Sequence, residues 1–354
     1  MKKLFSLLLI VSIAGYAVVS CEKSTTPSDA PENTKIVAWA VGAMDTNNVG
    51  VILYTDDAGE TWSRQGDTAM FLGVDINNVW AIDQSNAWIV CSGNKIFRTI
   101  NGGVTWIPVI TPAIQGPPSL YGISVVGNTE IWISGSSGTV YKSVDAGNNW
   151  TVYDTNSFRR GLIQGICAIT SDIIYVAGEF ATGQGPWGFI ARTLNGGTTW
   201  DSISLPGGFN QYRWIGVTAT DSNNIVVYGS TGHYAVTHNG GNFWYTPGQV
   251  DPGDINDLVM ISSESYWGAF DYDMIFKTFD GGETWLEQTS KGPLNQFLVG
   301  IDTYYTQRAL IVGESADSTR SGKIINTTDG GNNWSLRHVS PAKLQKVSFA
   351  KIQQ

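Results

Sequence analysis

The 354-residue sequence has few charged residues, few histidines and few cysteines. Charged residues make up 14% of the chain, and the 21 Lys and Arg are outnumbered by 30 Asp and Glu. Nucleic acids are held by clustered Lys and Arg, so this balance argues against a nucleic-acid partner. With three His, three Cys and no zinc-type spacing, we predict neither a metal nor a cofactor. No apolar run of about 18 residues follows residue 20, which excludes a bundle of membrane-spanning helices.

Glycine and tryptophan are abundant instead, with 41 and 14 copies. An aromatic content of 12% supplies large apolar side chains for a core and opposes intrinsic disorder. The composition therefore predicts a folded, soluble body.

Residues 1–35 have the features of a targeting segment followed by a tether. Two lysines precede an apolar run over residues 4–17, a pattern typical of a removable signal peptide. The motif VVSC, ending at Cys21, resembles the lipobox of bacterial lipoproteins, with Val replacing the commoner Leu at its first position. This resemblance implies cleavage after residue 20 and lipidation of Cys21. Acyl chains anchor a protein in a membrane because each buried methylene contributes about 0.8 kcal/mol.

The rest of this segment, residues 22–35, is polar and contains proline, which predicts a flexible tether. We therefore expect a lipid-anchored protein of the bacterial cell envelope, and the sequence leaves open which membrane leaflet carries it. Removal of residues 1–20 takes two lysines and leaves 19 basic residues against 30 acidic ones, a balance of −11.

An eight-residue pattern, Ser/Thr-x-Asp/Asn-x-Gly-x-x-Trp, occurs seven times at spacings of 44, 44, 50, 44, 41 and 49 residues. In such a pattern the Asp or Asn accepts hydrogen bonds from backbone N–H groups of its own turn, and Gly supplies positive φ. Trp then covers the hydrophobic space at the start of the next strand. The Asp or Asn positions are Asp57, Asn101, Asp145, Asn195, Asn239, Asp280 and Asp329.

Strand-like runs surround each copy, with alternating apolar side chains before it and a second apolar run further upstream. In six repeats another strand is expected to begin ten residues before a fixed position of that second run, as at Gly122 in the third repeat. A full repeat therefore predicts four strands, with the eight-residue turn between the third and the fourth. The first repeat lacks its opening strand, whereas the run Lys346-Val347-Ser348-Phe349 has that register and no turn after it. A ring accounts for both, because a C-terminal strand that completes the first blade leaves no sheet edge exposed. We predict an all-β fold over residues 36–354, a closed seven-bladed β-propeller with four-stranded antiparallel blades.

The seven turns resemble Asp-box repeats, which occur in sialidases, xyloglucan-active glycoside hydrolases, sortilin-type receptors and the photosystem II assembly and stability factor family. The regular single-propeller layout is most similar to the last family and its non-photosynthetic bacterial relatives. In these families the boxes lie opposite the functional face, so the resemblance implies a structural role for them. That family carries an arginine-rich patch for its client, whereas this chain is acidic with scattered arginines. A different client is therefore expected.

Strand direction places the links between second and third strands, and between blades, on the face opposite the boxes. Length variation falls there, in residues 178–188 and 313–322. Elongated loops on a rigid scaffold commonly contain binding sites, and aromatic and Arg side chains are typical of protein interfaces. Solvated loops without a binding role are an equal alternative. The candidate binding residues are Arg159, Arg160, Glu179, Trp187, Tyr212, Arg213, Glu314 and Arg320.

Three competing hypotheses concern other chemistry. Glycoside hydrolysis needs two carboxylates facing each other across a sugar, and Glu179 and Glu314 could both overlook the central channel. A sialidase is opposed by the absence of the Arg-Ile-Pro motif of that family. Calcium at Asp251, Asp254 and Asp257 competes with a solvated acidic link.

Cys91 and Cys167 lie in apolar runs two blades apart, which predicts buried free thiols rather than a disulfide.

The sequence thus predicts a non-catalytic, lipid-anchored propeller that binds a protein partner as a scaffold or assembly factor for an envelope or secreted complex. A carbohydrate-active enzyme or carbohydrate-binding protein is the alternative, and a purely structural surface protein is a further one.

Overall fold

The structure is a computed structural model that describes residues 35–113, 116–153, 161–180, 187–251, 253–288, 296–317, 319 and 321–350. These residues form seven four-stranded antiparallel sheets, arranged as the blades of a propeller. The predicted fold class is confirmed. Nowhere in the described ranges is a helix both long and apolar enough to cross a bilayer.

Blade one contains β1 (Ala38–Met44), β2 (Gly50–Thr55) and β3 (Ser63–Arg64). Blade two contains β4 (Ile76–Ala81), β5 (Ala87–Cys91), β6 (Ile96–Thr99) and β7 (Ile107–Val109). Blade three contains β8 (Leu120–Val126), β9 (Glu130–Gly135), β10 (Val140–Ser143) and β11 (Thr151–Tyr153). Blade four contains β12 (Leu162–Ala168), β13 (Ile174–Phe180), β14 (Trp187–Thr193) and β15 (Asp201–Ile203).

Blade five contains β16 (Trp214–Ala219), β17 (Ile225–Gly229), β18 (His233–Thr237) and β19 (Tyr245–Gln249). Blade six contains β20 (Ile255–Met260), β21 (Tyr266–Phe270), β22 (Ile275–Thr278) and β23 (Leu286–Glu287). Blade seven contains β24 (Gln296–Tyr304), β25 (Arg308–Ser315), β26 (Gly322–Thr327) and β27 (Ser335–Ser340). The last strand, β28 (Leu344–Phe349), returns to blade one.

The ring closes as the sequence predicts. β28 pairs antiparallel with β1, from Ala38 opposite Phe349 to Gly42 opposite Leu344. Each opening strand packs beside the opening strand of the next blade, and β28 lies between those of blades seven and two. The opening strands line the central channel.

Close packing around the channel requires glycine on several opening strands. A Cβ at Gly165 would lie 2.7 Å from the Gly216 Cα, closer than folded proteins allow. The opening strands also begin earlier than predicted. β8 begins at Leu120, two residues before the predicted Gly122, because Leu120 still pairs with Gly135 beyond a bulge.

Hydrophobic seams between neighbouring blades form the core. The box Trp of one blade packs against an aromatic residue of the blade before it, as in Trp132 with Trp200, at a ring-centroid distance of 6.3 Å. Trp267 and Trp334 repeat this contact at 5.7 Å. The Trp of each box therefore packs in the interface between two neighbouring blades.

Candidate functional site

The propeller has two faces with different chemistry. We call the face that carries the seven eight-residue turns the box face, and the opposite one, with the links between second and third strands and between blades, the loop face.

Box six illustrates the geometry of the box face. The Thr278 hydroxyl donates to Asp280 Oδ1 (2.7 Å) and accepts from the Gly282 N–H (3.0 Å). The Asp280 carboxylate also accepts from the Thr284 N–H (2.9 Å) and from the Thr284 hydroxyl (2.5 Å). The Thr284 hydroxyl is the largest of the hydrogen-bonding causes that lower the Asp280 pKa to about 2.

The other six boxes repeat these bonds. The first hydroxyl accepts from the backbone N–H of the fifth residue at 2.8–3.0 Å, and the Asp or Asn accepts from the N–H of the seventh. The box carboxylates are therefore engaged in their own turns. Their oxygens accept hydrogen bonds from backbone N–H groups of the turn rather than from a substrate.

A second contact, which the sequence analysis missed, joins boxes three, five and seven to the blade before each of them. Arg98 donates to the Ala146 carbonyl (2.6 Å), Arg192 donates to that of Gly240, and Lys277 Nζ lies 3.5 Å from that of Gly330. The available signal was a basic residue directly before the box start in four of seven repeats. The fourth, Lys142, donates instead to the Ser171 carbonyl of the next blade, outside its box (3.4 Å). These side chains tie the turn of one blade to the third strand of its neighbour.

Lys277 differs from the others because it is deeply buried, at 5% exposure. Its ammonium lies 4.3 Å from the Trp267 ring centroid and 4.6 Å from that of Phe279. Burial lowers its pKa to about 8.

The predicted binding residues of the loop face do not all fall in described parts of the chain. Arg159, Arg160 and Arg320 lie outside the described residues, as does Cys21. The backbone of Trp187 opens β14 opposite Phe180. The ends of both predicted long loops are part of paired strands. Glu179 of β13 lies opposite Gly188 of β14, and Glu314 of β25 lies opposite Gly322 of β26.

Glu179 and Glu314 occupy equivalent positions at the loop-face ends of β13 and β25. Among the described residues, neither is part of the wall of the central channel. Glu179 follows Gly178, the last buried residue of β13, and Glu314 lies between the buried Gly313 and Ser315 of β25. The wall of the channel is formed by the opening strands instead. The two-carboxylate hypothesis for a glycosidase stays a prediction.

Channel residues do include a charged cluster. This cavity of about 370 Å³ contains Asp257, which accepts from Lys346 Nζ (2.5 Å), the Tyr228 hydroxyl (2.9 Å) and the Ile301 N–H (2.8 Å). Burial, reinforced by the Asp257 charge, raises the pKa of Tyr228 well above its ordinary value. Because Lys346 belongs to β28 and Asp257 to blade six, the ion pair ties the closing strand across blade seven.

The three aspartates considered for calcium have separate partners. Asp251 accepts from the Gly253 N–H (2.8 Å), Asp254 binds Arg213, and Asp257 lies in the channel. Across the described ranges, no three His, Cys, Asp or Glu side chains are grouped to hold a metal.

Tyr212 and Arg213 belong to a compact cluster on the loop face of blades five and six. Arg213 Nη2 lies 2.6 Å from Asp254 Oδ2, and Asp254 Oδ1 accepts from the Thr231 N–H (2.8 Å). The Tyr212 ring stacks on His233, with centroids 3.6 Å apart. Burial lowers the pKa of His233, which favours its neutral imidazole.

The backbone of the next link completes this cluster. The Asp254 N–H donates to Asp271 Oδ2 (3.2 Å), beside Tyr272, which is 69% exposed and has a φ of 61°. Glycine and asparagine adopt such a conformation readily, whereas a tyrosine is strained in it. The cluster is an internally bonded surface with an exposed aromatic tip. Its residues come from four separate links, which is why the sequence analysis named only Tyr212 and Arg213 of them as binding residues.

Cys91 and Cys167 are free thiols in β5 and β12. Burial raises the pKa of both, that of Cys167 to about 12, so neither is a reactive thiolate at neutral pH.

No model of a known protein family matches this chain, and no curated protein matches it. Solved structures do resemble it. YCF48 from Cyanidioschyzon merolae has a TM-score of 0.59 at 18% identity, over 84% of this chain and 97% of that one. YCF48 bound to D1 peptide has a TM-score of 0.58 at 17% identity, over 84% and 86%. An ancestral GH74 enzyme has a TM-score of 0.54 at 15% identity, over 78% of this chain and 38% of that one. At such identities these likenesses show the fold alone.

Proposed function

We propose that this protein is a lipid-anchored, non-catalytic propeller whose loop face binds a protein partner, as a scaffold or assembly factor for an envelope or secreted complex. The observation that carries the proposal is the position of Lys35, where the described chain begins. Its ammonium lies 2.5 Å from Asp56 Oδ2 in box one, and its carbonyl accepts from Gln84 Nε2 (2.8 Å). Both contacts are on the box face.

An anchor at Cys21 would therefore be joined to the box face, and the loop face would be directed away from the bilayer. A propeller held in this way presents its varied face to soluble or neighbouring proteins. The cluster around Arg213 and Asp254 supports this role because its side chains are already positioned, which limits the entropy lost on binding. A further support is that a propeller of similar fold, YCF48, has been solved with a D1 peptide.

Site-specific photo-crosslinking in cells tests the proposal. A photoreactive phenylalanine replaces Tyr272 on the loop face or, as a matched control, Phe279 in box six. Both are exposed aromatic residues of blade six, at 69% and 56%. We expect one discrete protein, identified by mass spectrometry, to crosslink from position 272 and not from position 279.

Two further variants separate the parts of the proposal. Shortening the links at residues 181–186 and 316–321 should abolish the crosslink if the long loops contribute to binding. Cys21→Ser should release the protein from the membrane fraction without changing its fold. Equal crosslinking from both faces, or none from the loop face, would contradict the binding role, and membrane retention of Cys21→Ser would contradict the anchor.

A further inference from the structure

Box five departs from the other six boxes at its seventh position. The others carry Thr or Asn there, and that side chain bonds the Asp or Asn of the box. Box five has Phe243, which keeps only the backbone bond from its N–H to Asn239 Oδ1 (2.9 Å). The phenyl ring is 61% exposed. The substitution therefore removes a side-chain hydrogen bond and exposes an aromatic ring, and neither change stabilises the turn.

The residue after the box Trp departs as well. It is Tyr245 in blade five, exposed at 57%, whereas no other repeat has an aromatic residue there. The corresponding residues are Ser63, Ile107, Thr151, Asp201, Leu286 and Ser335. Two exposed aromatic side chains thus flank the buried Trp244 in only one of the seven repeats.

Phe243 and Tyr245 line one surface hollow of about 590 Å³. Trp244, which is 4% exposed, is also part of its wall. The remaining walls are Pro206, Thr246 and, from box six, the exposed Glu283. We call this the blade-five hollow. It lies at the outer strand of its blade, away from both the channel and the loop-face cluster.

We propose that the blade-five hollow binds a neutral saccharide. Aromatic rings stack against the apolar C–H faces of sugar rings, and a carboxylate accepts hydrogen bonds from sugar hydroxyls. None of the six residues that line the hollow is basic, so it offers no counter-charge to a phosphate, a sulfate or an acidic sugar. Its volume is in the range of small-molecule sites, about 300–1,000 Å³. The proposal is independent of the anchor and of the loop-face partner.

Calorimetric titration of the full chain, in a detergent without a sugar headgroup, tests this assignment. The probes are cellotetraose, maltotetraose and mannotetraose, with sialyllactose as an acidic sugar and Gly-Lys-Gly-Lys-Gly as a cationic peptide. We expect at least one neutral tetrasaccharide to bind at a single site and sialyllactose to bind weakly or not at all. Phe243→Thr, which restores the residue of four other boxes, should weaken binding about tenfold without lowering the melting temperature.

Tyr245→Ser should weaken binding about as much, and Glu283→Gln by several-fold. The matched controls are Leu286→Ser, at the position of Tyr245 in blade six, Phe279→Thr and Glu264→Gln, which should all leave affinity within about twofold. Failure of all three tetrasaccharides at about 10 mM overturns the proposal. Saccharide binding that is unchanged in Phe243→Thr and Tyr245→Ser would also overturn it. Binding of the lysine peptide, without binding of the sugars, would overturn it as well.

Discussion

The two faces of the propeller differ in how much their turns vary in sequence and length from blade to blade. On the box face, seven turns use the same hydroxyl, carboxylate or amide, and backbone donors at nearly identical distances. On the loop face, the link between second and third strands is a short turn with a positive-φ residue at Asn48, Asn94, Ser137, Thr231 or Tyr272, and is longer in blades four and seven. The repeated face specifies the fold, and the varied face is free to specify a partner.

This division has a physical cause. Each box satisfies its own backbone groups, and boxes three, five and seven also receive a basic side chain from the preceding blade, so a change in those boxes affects two sets of bonds. A loop-face link needs only to connect two strands that are already paired. Variation there therefore costs little stability.

The largest expected effect tests whether the repeated parts act together as a ring. Deletion of residues 342–354 removes β28, whose Leu344, Val347 and Phe349 are at most 1% exposed, together with Lys346. Burial of three such side chains contributes about 1.5–3 kcal/mol each, which approaches the whole stability of a typical domain. We expect a sharply lowered melting temperature by circular dichroism. Deletion of residues 351–354 alone is the control, and an unchanged melting curve for the longer deletion would contradict ring closure.

An intermediate effect compares the two faces of one blade. Thr278→Val leaves the buried Gly282 N–H without its acceptor and should lower the free energy of unfolding by about 1–3 kcal/mol. Tyr272→Asn, on the loop face, should change it by less than about 0.5 kcal/mol or raise it, because Asn tolerates positive φ. Urea unfolding measures both. Comparable losses in the two variants would contradict the division of labour between the faces.

The smallest expected effect tests the contact of Lys277 with the neighbouring blade. The pKa of Lys277 is about 8 in the folded protein, and the ordinary lysine value applies when it is unfolded. Between these values the unfolded chain binds more protons, so stability should rise with pH above 8. We expect a gain of about 0.7 kcal/mol between pH 7.5 and 8.5, measured by urea unfolding. Lys277→Met should flatten this rise, and a rise of equal size in the variant would assign it to another group.

Much of the fold followed from the sequence because its information is local and repeated. The seven boxes predicted the turns, and the unpaired run at Lys346–Phe349 predicted the closing strand, which the structure confirms. The strand starts were less well predicted, since pairing continues through bulges such as that after Leu120. Glu179 and Glu314 were correctly assigned to the loop face by strand direction. Strand order alone does not show how close either carboxylate lies to the channel, whose wall is formed by the opening strands.

Local chemistry by itself determined the number of blades, the turn geometry and the ring, since each depends on residues a few positions apart or on one repeating register. Only the tertiary structure decided which distant residues meet. Lys346 reaches Asp257 across blade seven, and Arg213, Asp254 and Asp271 assemble from three separate links. Phe243, Tyr245 and Glu283 come together from two blades. Such contacts depend on how the blades are packed against one another around the channel, and no spacing along the chain encodes that packing directly.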